Sequence, residues 1–117
     1  LGMPLSEFEA AKVELELVDL VETIRPPVDI RDELDVVFRL EGQSVLLFEK
    51  RPLWDDPSKS SETPFAKATF VKGTGQWLVY WMRGSGKWQR YDPCDTVGSL
   101  DEWVRLVDED AHHCFKG

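Results

Sequence analysis

The sequence predicts an α+β domain: an antiparallel meander of about five strands between an N-terminal and a C-terminal helix, both packed on one face of the sheet. Three observations lead there. Two capping boxes, Ser6 with Glu9 and Ser99 with Glu102, each open an apolar row at helical spacing near one end of the chain. Between them, apolar residues return at every second position in short runs. Gly73-Thr74-Gly75 and Gly84-Ser85-Gly86 punctuate the later runs, as tight hairpin turns require.

The first helix begins at Ser6, whose hydroxyl and the Glu9 carboxylate each satisfy a backbone N–H of the opening turn. Leu5, Phe8, Ala11, Leu15, Val18, Leu20 and Val21 supply its apolar face, and Glu7, Glu14, Glu16, Asp19 and Glu22 its wet side. Pro26-Pro27 ends it, because proline lacks a donor and restricts the residue before it. Residues 34–40 alternate as a strand. Glu41-Gly42-Gln43 turns the chain, and residues 44–50 return as its hairpin partner. Residues 52–64, rich in Pro, Asp and Ser, read as the single long loop. Strands then follow at 66–72, 76–83 and 87–91, and Asp92-Pro93 breaks the last of them. Leu100, Trp103, Val104 and Val107 form the apolar face of a short closing helix.

The faces of the later strands depend on turn length. With two-residue turns, Ala68 lies opposite Trp81 and Trp81 opposite Trp88. Ala66, Ala68, Phe70, Trp77, Val79, Trp81 and Trp88 then form the core face, on which the helices pack. The opposite face carries Lys67, Thr69, Val71, Leu78, Tyr80, Met82, Lys87, Gln89 and Tyr91. That is more apolar than a sheet face usually shows to water. Lys67, Tyr80, Met82, Lys87 and Tyr91 are therefore the first candidate binding residues, for a protein contact or self-association. Aromatics bordered by lysines also suit single-stranded nucleic acid.

A chain of 117 residues is expected to be one domain, with residues 1–2 a cloning remnant before a native start at Met3. The net charge of −8 is uneven. Residues 1–44 hold eleven acids and four bases, residues 45–91 four acids and eight bases, and residues 92–117 seven acids and two bases. Acidic helical ends around a basic sheet-rich centre follow, and the overall charge puts a protein partner ahead of nucleic acid. No run of 18 apolar residues or export leader is legible, so a cytoplasmic location, no membrane contact and two free thiols, Cys94 and Cys114, are expected.

Several strings are shared with a known family: Leu40-Glu41-Gly42-Gln43-Ser44-Val45, Arg51-Pro52 with Trp54-Asp55-Asp56-Pro57, and Tyr80-Trp81-Met82-Arg83. Trp88, Arg90-Tyr91, Pro93 and the closing Cys114-Phe115 continue the pattern. Over essentially the whole chain from Met3 the sequence resembles a bacterial family catalogued as domain of unknown function 3024. The resemblance implies a small bacterial protein and brings no catalytic residues with it.

No catalytic motif, cofactor or metal site is read from the residues. The tail Asp108-Glu109-Asp110-Ala111-His112-His113-Cys114 is rich in ligand types, but adjacent residues cannot all converge on one ion. Asp35 with Glu49-Lys50-Arg51 on the paired strand resembles the carboxylate hairpin of metal-dependent nucleases, with Lys50 on the wrong face. The second candidate region is the long loop, with Arg51, Trp54, Asp55 and Asp56. An acid pair there can serve a small hydrolase or nuclease. Otherwise Trp54 plugs the loop into the core while the acids make turn hydrogen bonds. A non-enzymatic binding module is the leading expectation, and an enzyme using the acidic loop the alternative.

Overall fold

The computed structural model describes residues 5–110 and 113–115; Leu1-Gly2, Met3 and His112 lie outside the described residues. Helix α1 spans Glu7–Glu22 and begins as its capping box dictates. The Glu9 N–H donates to Ser6 Oγ (3.1 Å), and the Ser6 N–H donates to Glu9 Oε1 (3.0 Å). At Thr23 the helix stops, three residues before Pro26. Helix α2 spans Leu100–Glu109, with the Glu102 N–H donating to Ser99 Oγ (3.2 Å). Two short 3-10 turns, Val28–Ile30 and Asp92–Cys94, join helix and strand segments.

Strands β1 (Asp35–Glu41), β2 (Ser44–Pro52), β3 (Ser60–Val71), β4 (Gln76–Met82) and β5 (Trp88–Arg90) form the antiparallel meander in chain order. A sixth strand, β6 (Thr96–Val97), was not legible in the sequence; it pairs with Trp77 and Leu78 of β4. β5 occupies the same edge of β4 further along, at Tyr80–Met82. The Val79 N–H between them donates to Asp95 O (2.9 Å). β6 is thus a continuation of the edge that β5 leaves open.

Three registers differ from expectation, each for a local reason. The long loop shrinks to 53–59, because Ser60–Pro64 pairs with Phe48–Pro52. Between Leu47 and Phe48 the register shifts: Leu47 faces Ala66 and Phe48 faces Pro64, leaving Phe65 as the extra residue of a bulge. A bulge is where proline fits inside a strand. Across the β3–β4 turn, Ala66 and not Ala68 lies opposite Trp81, because four residues connect Val71 to Gln76. That shift of two leaves the faces unchanged. Across the β4–β5 turn, three residues separate Arg83 from Lys87, and Met82 faces Trp88. That shift of one turns β5 over. Trp88 leaves the core face, and Tyr91 enters it with 1% of its surface exposed.

Both helices cover the same sheet face, as expected. Leu17 and Val21 of α1, with Leu100, Trp103, Val104 and Val107 of α2, close on Val45, Leu47, Ala66, Ala68, Trp77 and Val79. The C-terminal segment folds back onto this core. The Phe115 N–H donates to Asp110 Oδ1 (3.0 Å), and the Phe115 ring lies 4.8 Å from that of Tyr91. No helix among the described residues is long and apolar enough to cross a membrane.

Helix α1 does not bury the apolar face read from the sequence. Its buried side is Leu17 and Val21, with Val13, Leu20 and Ile24 packed beside them. Phe8, Leu15 and Val18 are 80%, 73% and 50% exposed. At 100° per residue, positions 8, 11, 15 and 18 lie almost opposite 13, 17, 20 and 24. The helix therefore has two apolar rows, and the sheet takes only one.

Candidate functional site

The outer sheet face, which neither helix covers, is built by alternation: Arg39 on β1, Leu46 and Phe48 on β2, Lys67 on β3, Tyr80 and Met82 on β4, Trp88 and Arg90 on β5. Leu46 and Phe48 are nonetheless buried, roofed by their longer neighbours. Arg39 Cζ sits 4.8 Å from the centre of the Phe48 ring. Lys67 Nζ sits 4.4 Å from that of Tyr80 and 5.0 Å from that of Trp88, with Arg90 Cζ at 5.8 Å on Tyr80. Cations over ring faces gain from the ring quadrupole. Burial among these rings pushes the Lys67 ammonium below its ordinary pKa, and Glu41 partly opposes this. Arg39 and Arg90 are also paired, with Glu62 and Asp95.

Of the expected sheet-face residues, Lys67, Tyr80 and Met82 are brought together, half-buried. Lys87 is exposed at the turn and alternates away from Trp88. Tyr91 is a correction: it is a core residue, pulled inward by the three-residue turn. Burial, with Cys114, Asp110 and Cys94 nearby, raises its phenol pKa. Trp88 and Arg90 replace it on the outer face. Gly84-Ser85-Gly86 was the signal that could have found them, since glycine at the third loop position marks a three-residue hairpin.

The β2–β3 turn is ordered by its own hydrogen bonds. The Leu53 N–H donates to Lys59 O and the Lys59 N–H to Asp56 O, both at 3.0 Å. Asp56 Oδ1 accepts from the Ser58 hydroxyl (2.6 Å) and N–H (3.2 Å), the turn role expected of an acid there. Asp55 is exposed. Trp54 does not plug the loop into the core: it is 94% exposed, because the turn closes on backbone bonds and leaves the indole outside.

The nuclease-like pair does not assemble. Asp35 lies opposite Lys50 and Glu49 opposite Val36, so the two carboxylates point to opposite faces. Asp35 is held instead by a two-pronged bond from Arg25, Nε to Oδ1 and Nη2 to Oδ2, both at 2.9 Å. The guanidinium keeps the Asp35 carboxyl below its usual range, and Asp35 and Glu22 raise the Arg25 pKa. Among the described residues no three His, Cys, Asp or Glu side chains are grouped to hold a metal ion.

The exposed row of α1 was missed as a surface because its spacing looks like core. Phe8, Ala11, Leu15 and Val18 follow the three-then-four repeat of a helix-pairing seam. Glu7 and Glu14 flank it on one side, Lys12 and Asp19 on the other, and Glu22 closes its end. A groove of about 290 Å³, lined by Val18, Val21, Val36, Val37 and Phe38 together with Glu22, Arg25 and Asp35, carries the row on to β1, the edge strand.

No curated protein and no solved structure gives a significant match to the chain. A family profile does match, over residues 5–117, and the chain belongs to that family, the domain of unknown function DUF3024.

Proposed function

We propose that the protein is a non-enzymatic binding module that meets another protein through α1. The observation that carries this reading is the second apolar row. Phe8, Leu15 and Val18 stand exposed on the side of the helix opposite the core, and a groove extends them to the sheet edge. Burying each of these side chains fully in a contact contributes about 1.5–3 kcal/mol. The flanks hold four acids and one base, so two α1 helices side by side would set acid against acid. The partner that fits is an apolar helix or strand flanked by lysine or arginine.

The outer sheet face is the second surface of this proposal. Its cations lie over its own rings or beside acids, which leaves less free charge for a nucleic-acid backbone. Both oxygens of the Asp35 carboxylate are taken up by Arg25, which argues for a structural role there rather than for acid–base work. A bacterial, cytoplasmic setting belongs to the same proposal. It rests on the sequence resemblance and on Cys94 and Cys114 not being joined in a disulfide, the state a reducing compartment preserves.

The test is affinity capture from the native cell, followed by titration of the purified partner against three proteins: wild type, Phe8→Ser with Leu15→Ser, and Tyr80→Ser with Met82→Ser. The α1 variant is expected to lose at least tenfold in affinity, and added salt to weaken the wild-type complex. Retention of full affinity by the α1 variant, with loss in the sheet variant, would move the contact to the sheet.

A further inference from the structure

An acidic chain with net charge −8 gathers five of its fourteen basic residues around one cleft. Arg25 and Arg31 come from the connection between α1 and β1, and Lys50, Arg51 and Lys59 from the two arms of the β2–β3 hairpin. The cleft encloses about 440 Å³, within the range of small-molecule sites. Only Asp32 and Asp35 bring acids to its lining.

Those charges are not evenly matched. Arg25 and Asp35 neutralise each other through their two-pronged bond. Arg31 is held by Pro26 O, to which its Nε donates at 2.8 Å, and lies 3.8 Å from Glu22. Arg51 and Lys59 reach Glu49 and Asp56 only at 3.9 and 4.0 Å, and both cations are exposed, where such pairs contribute little. Lys50 makes no ion pair among the described residues. Arg31, Lys50, Arg51 and Lys59 thus line the cleft with at most one long ion pair each, and Asp32 is the one acid of the lining beside Asp35. The walls are fixed: β2 and β3 stay paired out to Pro52 and Ser60, and the turn beyond is tied by its own hydrogen bonds.

We propose that this cleft binds the phosphate of a phosphate-bearing ligand, with Lys50, Arg51, Lys59 and Arg31 as its cations. A phosphate carries up to two negative charges and several acceptor oxygens, which suits a cleft lined by several cations better than a single carboxylate does. Two sources share that chemistry: a small phosphate ester and the backbone of a nucleic acid. The cleft shares Arg25 and Asp35 with the groove beside α1, but none of its four proposed cations lines that groove, so either proposal can fail alone.

The experiment is calorimetric titration of the full chain with inorganic pyrophosphate, adenosine diphosphate, a short single-stranded oligonucleotide and, as a carboxylate control, succinate. Pyrophosphate is expected to saturate one site per chain and to bind at least tenfold tighter than succinate. Lys50→Gln with Arg51→Gln should weaken pyrophosphate at least tenfold, while Lys72→Gln, just past the far end of β3, should not. Both substituted side chains of the double variant are exposed, so it should fold, as its amide spectrum would verify. Adenosine diphosphate binding as well as the oligonucleotide places a small ester in the cleft. An oligonucleotide bound tenfold tighter, with that gain lost in the double variant, places a nucleic-acid phosphate there. No binding at millimolar pyrophosphate, equal binding of succinate, or an unchanged double variant would overturn the proposal.

Discussion

Asp35 sits at the start of β1 with both carboxylate oxygens on Arg25 and one also accepting from the Val36 N–H. Its carboxyl titrates below the usual range, chiefly because of the Arg25 bonds. A depressed carboxyl adds stability that is whole above its unfolded pKa, about 4, and is lost as the pH falls through the folded value. Asp35→Asn should therefore cost about 2 kcal/mol at pH 7, the size of a hydrogen bond to a charged group. Urea unfolding at pH 7 and pH 3 should show the difference between variant and wild type shrinking at the lower pH. A gap that stays constant would mean that the pair does not supply this pH dependence. Single residues were unevenly legible. Lys67, Tyr80 and Met82 were placed on one face by alternation alone, since the shift across their turn was even. Tyr91 and Trp88 were exchanged because the next shift was odd. Trp54 was misplaced because an aromatic in a loop gives no periodic signal of what it packs on.

At the scale of elements, turn length decided what sequence could and could not settle. Gly86 has φ +83°, a left-handed conformation that costs other L-residues about 1–2 kcal/mol. A Cβ there would meet nothing within 4 Å, so strain alone should act. Gly86→Ala is expected to lower stability by about 1 kcal/mol, whereas Gly84→Ala, with no positive φ and equally open space, should be near neutral. Denaturant midpoints of the two variants test this directly, and equal losses would contradict the three-residue turn. Helix caps were fully legible because the box is a local pattern; Ser6→Ala should cost about 1 kcal/mol by thermal unfolding. The face of α1 was not, because both its rows repeat at helical spacing, and only the sheet beneath selects between Leu17 with Val21 and Phe8 with Leu15. The hairpin arms beyond Arg51, and back to Pro64 on the return strand, read as loop for a related reason. Their Pro, Ser and charged residues have no buried face to set a period, yet Pro52 still pairs opposite Ser60.

Across the whole molecule, one sheet face and two helices enclose a core centred on the fully buried Trp103, while charge is sorted between elements. Cys94 and Cys114 are not joined in a disulfide, and the core does not need such a staple. The Cys94 thiol donates to Thr96 O at 3.4 Å, and burial together with Asp110 raises the Cys114 pKa. Dithiothreitol should leave the thermal midpoint unchanged, and a fall of several degrees would mean that a disulfide forms in solution. The acidic surface of α1 and the basic lining of the hairpin cleft lie on different elements, which adjoin at Arg25 and Asp35. The claim that α1 meets a protein is tested most directly by amide hydrogen exchange on the captured complex. Protection is predicted along the helix from Phe8 to Glu22 and at the β1 edge, Val36 to Phe38, with the sheet amides of Lys67 and Tyr80 unchanged. Protection confined to the sheet strands, with α1 exchanging as in the free protein, would contradict it.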